Sequence, residues 1–332
     1  MQPIPFEEIV DQALYGPDGI YVRAGGGRAG RRGDFLTSPE VGPLFGAVLA
    51  RHLDAVWADL DRPDDFRVFD VGAGPGTLAR SVLAARPACL ERGRYVAVEV
   101  SDVQRELHPG GIESLAEMPD GPLVGVVVAN ELLDNLPFRL AVFDGGWREA
   151  FAVPTQGGGW VERLSAPFID PPSVLPAAVV HGSRAPLVDR ACHWVEGVLE
   201  RLTGELLVVD YGTPTTAELA ARPWREWLRT YRGNERGDHY LRAPGSQDIT
   251  TEVPFDQLPT ADEVITQADF LRRTGIDDLV DEGRRIWTER AARPDVEAMA
   301  MRSRVSEAEA LLDEAGLGAF RVARWRRRAR LG

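Results

Sequence analysis

Apolar positions along the chain fall into two rhythms. Ile4, Phe6, Ile9, Val10 and Leu14 recur at near-helical intervals, and Gly16, Pro17 and Gly19 break the pattern, so a short helix is predicted over residues 4–14. A second amphipathic helix is expected from Val41 to Leu60, with Ser38 and Pro39 as its N-cap and first helical position. Between the two lies a segment with five glycines from Gly25 to Gly33, read as a loop rather than a phosphate cradle because it lacks a Gly-Lys-Ser/Thr ending. From Phe66 the texture changes. Unbroken apolar runs (FRVFDV, RYVAVEV, LVGVVVAN) alternate with amphipathic stretches such as TLARSVLAARP. Runs apolar on both faces suit parallel strands covered by helices on either side, so a doubly wound α/β core is predicted.

Glycine pairs then separate RLAVFDG, GWREAFAV and GGWVERLS between residues 138 and 186, which reads as an inserted β-hairpin or small subdomain. The α/β rhythm returns with a helix from Ala191 to Leu202 and the strand GELLVVDYG. A polar connection from Thr213 to Asp248 follows, too long for a plain turn. VITQADFLRRTGI, a helix from Ser306 to Ala315 ended by Gly316, and a strand FRVARWRR complete the pattern. The expected organisation is an N-terminal helical cap and lid (1–64), the first part of the α/β domain (65–137), the inserted unit (138–190), and the remainder (191–332) with its connection at 213–248.

Composition narrows the functional classes. The 332 residues are 44% hydrophobic and 27% charged, as in ordinary globular chains. Lys and Arg number 38 against 51 Asp and Glu, and a net charge of −13 disfavours nucleic acid as a partner. The basic run Arg324–Arg330 reads as a solvated strand end or tail. Two distant cysteines, Cys89 and Cys192, fit neither a disulfide scaffold nor a metal site. No apolar stretch approaches the ~18 residues of a membrane span, and the first residues are acidic rather than basic. The expectation is a cytoplasmic chain with no membrane partner; whether it forms a homodimer is left open.

The chemistry is concentrated at strand ends. In VFDVGAGPGT, Asp70 precedes a turn of Gly72, Ala73, Gly74 and Gly76 that leads into a helix, a nucleotide-binding arrangement. Dinucleotide enzymes place Gly-x-Gly-x-x-Gly there, whereas this turn is Gly-x-Gly-x-Gly with an acid before it. A carboxylate in that place suits the ammonium end of S-adenosylmethionine. Glu99, followed by Val100, ends the next strand 23 residues after Gly76, near the ~20-residue spacing at which an acid accepts ribose hydroxyls. Together they point to a class I methyltransferase. ANELLDNLPF (129–138) places Asn130, Glu131 and Asp134 at the end of the following strand, where the acids either hold a cationic acceptor or cap a helix.

With these residues in view the sequence resembles the MidA-like family of S-adenosylmethionine-dependent methyltransferases. GDFLTSPE (33–40), NELLDNLP (130–137), VVDYG (208–212), LRTYRG (228–233), QDITTEV (247–253) and TQADFL (266–271) look like family motifs. Asn234 and the pair Leu132 and Leu133 depart from its pattern. The family includes a mitochondrial assembly factor that methylates an arginine of a respiratory complex I subunit. The resemblance implies a class I methyltransferase fold with a helical cap and an inserted β-rich substrate subdomain, S-adenosyl-L-methionine as cofactor, and a protein arginine as acceptor. On this reading Asp70, Gly72, Ala73, Gly74, Gly76, Glu99, Val100, Asn130, Ser38 and Pro39 hold the cofactor. Glu131, Asp134 and Asn130 serve catalysis, and Asp34, Thr37, Glu40, Asp210 and Tyr211 border the acceptor. The alternatives are a small-molecule or peptide O- or N-methyltransferase and a non-catalytic assembly factor.

Overall fold

Seven strands among the described residues form the central sheet: β1 (Arg67–Val71), β2 (Arg94–Val98), β3 (Glu113–Leu115), β4 (Leu123–Asn130), β5 (Leu202–Asp210), β6 (Glu263–Thr266) and β7 (Arg321–Arg327). The computed structural model describes residues 2–17, 19–22, 37–157, 159–232, 235–242 and 247–328. The glycine-rich segment 25–33, Asp34, Asn234 and the end of the basic tail at 329–330 lie outside them.

The sheet runs β3-β2-β1-β4-β5-β7-β6, parallel except for β7, which is antiparallel to both its neighbours. Alternate side chains explain why the strands read as continuous apolar runs. Val68, Val126, Val128, Leu207, Val209 and Val322 face one core with the helices Pro43–Asp59 and Thr77–Ala85. Phe69, Val127, Ala129, Leu206, Val208 and Ala323 face the other, with the helices Phe6–Tyr15 and Asp189–Arg201. Strand order reverses between β1 and β4, and in such sheets the crevice beyond the carboxyl ends at that point is the ligand site.

Residues 139–187 form more than a hairpin. Arg139–Phe143, Trp147–Pro154, Trp160–Pro167 and Arg184–Leu187 make a sheet whose fifth strand is Ile4–Pro5, from the start of the chain. The polar connection after β5 folds into the helices Thr216–Ala221 and Trp224–Trp227 and a strand, Leu228–Arg232, antiparallel to Asp248–Thr251.

Several boundaries differ from expectation. The helix expected over 41–60 is a four-residue turn, Ser38–Val41, followed after an extended Gly42 by Pro43–Asp59. Thr37 caps that turn in a capping box with Glu40, so Ser38 is the first helical residue and not the cap. The helix expected to begin at Ser306 begins at Val296. Ile276–Arg290 forms a helix that the pattern did not single out.

Candidate active site

A cleft of about 790 Å³ opens beyond the carboxyl ends of β1, β2, β4 and β5. Its base is the turn after β1, where Gly72, Gly74 and Gly76 take φ of 73°, 54° and 78°, a left-handed run that side chains resist. Gly72 and Ala73 donate their N–H groups to the Val98 carbonyl at 2.9 and 3.1 Å, tying the turn to β2. Gly74 N–H donates to Glu99 Oε2 at 2.9 Å and Ser101 N–H to Glu99 Oε1 at 2.9 Å. The Glu99 carboxylate is thus fixed at the cleft wall, each oxygen keeping acceptor capacity for a ligand hydroxyl. Gly76 does not line the cleft. A Cβ there would lie 2.9 Å from Pro109 Cδ and 3.2 Å from His108 Cδ2, so this glycine serves the packing of the turn against the 108–109 loop.

Asp70 lies at the cleft base, almost wholly buried, and accepts the Tyr95 phenol at 2.9 Å. Burial raises its pKa to about 7; the Tyr95 hydrogen bond opposes the rise and the charge of Glu99 adds to it.

The turn after β4 carries the acids. Glu131 adopts φ 51°, uncommon for a residue with a side chain, and its N–H donates to the Val209 carbonyl at 2.8 Å. Its Oε1 accepts Asn130 Nδ2 at 3.2 Å and Ser38 N–H at 3.4 Å. Burial, with the negative charge of Asp134, pushes Glu131 up to about 8. Asp134 accepts Thr250 Oγ1 at 2.8 Å and Asn135 Nδ2 at 2.9 Å; burial lifts it to about 6 against the hydrogen bonds of Thr250 and Tyr211. Neither acid forms a salt bridge among the described residues. The two do not cap an α-helix: the segment after Leu132 is a single 3-10 turn, Leu133–Asn135.

Asp210 is placed differently from the reading that had it border the acceptor. It is fully buried beneath the turn, accepting Leu133 N–H at 2.9 Å and Tyr211 N–H at 3.0 Å, and it does not line the cleft. Its carboxyl therefore braces the turn that carries Asp134. Ser38 is likewise wholly buried and off the cleft wall; its hydroxyl donates to Gln267 Oε1 at 2.9 Å. Thr37, Pro39, Glu40, Val100, Asn130 and Tyr211 do line it, with Asp70, Gly72, Ala73, Gly74, Glu99, Glu131 and Asp134.

The cleft also contains residues to which the sequence reading gave no role. Tyr15 and Tyr21 enter from the N-terminal segment, Trp194 from the helix after the second sheet, and Arg229, Tyr231, Thr250 and Glu252 from the 228–252 region. The last four stand in LRTYRG and QDITTEV, so the motifs were visible while the pairing that brings them to the cleft was not. Arg229 is the one cationic side chain among the described residues lining the cleft, and it is committed to Glu252 at 2.8 Å.

The donor set suits a nucleoside with a charged tail. Glu99 is pinned for a diol, the glycine turn brings backbone close to a ligand, and Asn130 Oδ1, buried in the cleft, accepts no hydrogen bond among the described residues.

Comparison with known proteins agrees with that geometry. The model of a family described as "Putative S-adenosyl-L-methionine-dependent methyltransferase" matches residues 48–274. The mitochondrial protein arginine methyltransferase NDUFAF7 homolog of Drosophila melanogaster is 27% identical over 300 residues, which cover 76% of this chain and 65% of that protein. The mouse protein of that name is 24% identical over 323 residues, covering 83% and 71%. The chain therefore spans about two thirds of the length of the fly relative. A crystal structure from Burkholderia thailandensis, bound to S-adenosyl-homocysteine, has a TM-score of 0.83 and 28% identity, covering 98% of this chain and 88% of that one.

Proposed function

This chain belongs to the family of S-adenosyl-L-methionine-dependent methyltransferases, and from that premise we propose that it methylates an arginine guanidinium of a protein acceptor. One observation carries the choice of acceptor. The cleft floor holds two acids, Glu131 and Asp134, that burial holds near 8 and 6 and that no cation among the described residues neutralises. A guanidinium entering there gains two charge-assisted partners and relieves the cost of their burial. The curated relatives named as protein arginine methyltransferases support the same acceptor.

The cofactor supplies an electrophilic methyl group on sulfur, so the residues of the chain have to position and deprotonate rather than form covalent bonds. Glu99 and the turn residues Gly72–Pro75 hold the nucleoside, with Asp70 and Asn130 beside it. Glu131 and Asp134 orient the guanidinium and receive the proton it loses as its nitrogen takes the methyl. The N-terminal helix serves as cap, since Tyr15 reaches the cleft from it and Tyr21 from the turn after it, and the second sheet is the acceptor-side subdomain, with Trp194 reaching the cleft from the helix that follows it.

The test is transfer of labelled methyl from the cofactor into a lysate of a strain lacking the gene. Peptides carrying the label on arginine support the reading. Label confined to small metabolites, or cofactor binding with no transfer at all, would overturn it.

A further inference from the structure

Asn135 bridges the Asp134 carboxylate and the Glu131 backbone at the cleft floor and is gripped from the far side by the N-terminal segment. Its Nδ2 donates to Asp134 Oδ1 at 2.9 Å and to the Glu131 carbonyl at 3.2 Å. Opposite, Tyr21 O–H donates to Asn135 Oδ1 at 2.9 Å and Tyr15 O–H to the Asn135 carbonyl at 3.0 Å. The amide has one sensible orientation. A carboxylate and a backbone carbonyl only accept, so they take the NH₂ end, and the oxygen end is left for a phenol. The two phenol rings stack with centroids 5.7 Å apart, so each supports the other.

The position is demanding in a second way. Glu131 sits at φ 51°, a conformation that persists only where surrounding groups hold it. Asn135 supplies one of those groups by binding the Glu131 carbonyl, while the Glu131 N–H is held by Val209.

We propose that Asn135 is a positioning residue of methyl transfer, its one amide fixing the Asp134 carboxylate and the Glu131 backbone together, with Tyr15 and Tyr21 as its lock. Its bearing on catalysis rests on the reading of these acids as acceptor-side groups. Around Asp134 stand Glu131 on the same turn, Asp210 and Tyr211 from the end of β5, Thr250 from the strand opposite, and the two locking tyrosines. The charges of Glu131 and Asp210 disfavour its ionisation, with Asp248 a further acid beside the two locking tyrosines, while the hydroxyls of Thr250 and Tyr211 and the N–H of Asn135 favour the carboxylate form.

The experiment is carboxyl ¹³C NMR of the full chain with S-adenosyl-homocysteine bound, the Asp134 signal being identified by its loss in Asp134→Asn. Asn135→Leu raises the Asp134 midpoint by about one pH unit, the scale of one donated hydrogen bond to a carboxylate. Tyr21→Phe, which removes a single oxygen, raises it by a smaller step in the same direction while the melting temperature stays close to wild type. An unchanged midpoint in folded Asn135→Leu overturns the proposal. Should that variant not fold, Tyr21→Phe decides alone, and an unchanged midpoint there overturns it equally. A separate arm compares binding of N-acetylarginine amide with that of the neutral N-acetylcitrulline amide to wild type. Equal binding of the two removes the arginine acceptor, while the carboxyl titration still decides the role of Asn135.

Discussion

Ser38 and Gln267 lie 229 residues apart in the chain and share a buried hydrogen bond of 2.9 Å, with neither side chain reaching solvent. Gln267 is in turn held by the Leu311 carbonyl, which its Nε2 reaches at 3.2 Å. The bond matters because Ser38 N–H faces Glu131, so the far part of the chain sets where the Thr37–Val41 turn meets the cleft floor. Gln267→Leu leaves the Ser38 hydroxyl and the Leu311 carbonyl unsatisfied, a loss of about 1–3 kcal/mol each at most. The expected outcome is a lower melting temperature together with slower methyl transfer and near-normal cofactor affinity. Thermal melts beside calorimetry and single-turnover rates check it.

Gly74→Val tests the cofactor half. At φ 54° a β-branched residue is strained, and its Cβ would lie 3.3 Å from Gln104 Oε1. The turn must distort, and the N–H that fixes Glu99 moves with it. We expect at least a tenfold loss of S-adenosyl-homocysteine affinity by calorimetry, with a stability loss of about 1–2 kcal/mol from the left-handed backbone. Normal affinity in this variant would place the site elsewhere.

Asp134→Asn separates chemistry from architecture. The amide oxygen can still accept from Thr250, while the Asn135 hydrogen bond on the other side and the negative charge that meets the acceptor are both lost. Methyl transfer at saturating cofactor should slow by about 100-fold, the lower end of general acid–base contributions, with cofactor affinity within a few fold of wild type. An equal rate would remove Asp134 from the reaction.

The raised acids also predict how stability depends on pH. Glu131 binds its proton more tightly folded than unfolded, with a pKa of about 8 against 4.5. Its contribution is therefore full below about pH 4.5 and is lost as pH rises through 8. Compared with Glu131→Gln, which cannot ionise, ligand-free wild type should lose stability between pH 5 and pH 9. Urea unfolding of both proteins across that range measures the difference, and parallel curves would mean that Glu131 is not held protonated.

The sequence made the α/β core and the cofactor half legible for a physical reason. Long apolar runs and a glycine turn are local patterns, and Asp70, Gly74 and Glu99 lie on consecutive units of one sheet. The acceptor side was less legible because its members meet only through tertiary pairing. Tyr15 and Tyr21 read as part of the break after the first helix until Asn135 is seen between them and Asp134. Arg229 and Thr250 lay in and beyond what looked like a polar connection, since two short strands joined by an intervening excursion give little periodic signal. Asp210 was misplaced because a strand-end acid can point to a cleft or back under its neighbour, and only the Leu133 N–H decides. Thr37 could have been found: Thr37 and Glu40 stand at capping-box spacing, a signal that the following Pro39 obscured.

The place of β7 bears on how the chain is made. It is the last of the seven strands to leave the ribosome, yet it lies between β5 and β6. Until residues 321–327 emerge, the nine-residue β5 carries an open edge and β6 has no strand beside it. An unpaired apolar edge is a template for association with other chains, so the nascent protein is aggregation-prone from the completion of β5 until β7 is added. The sheet closes only with the last of its strands, and chaperone dependence during translation should fall sharply once β7 is released.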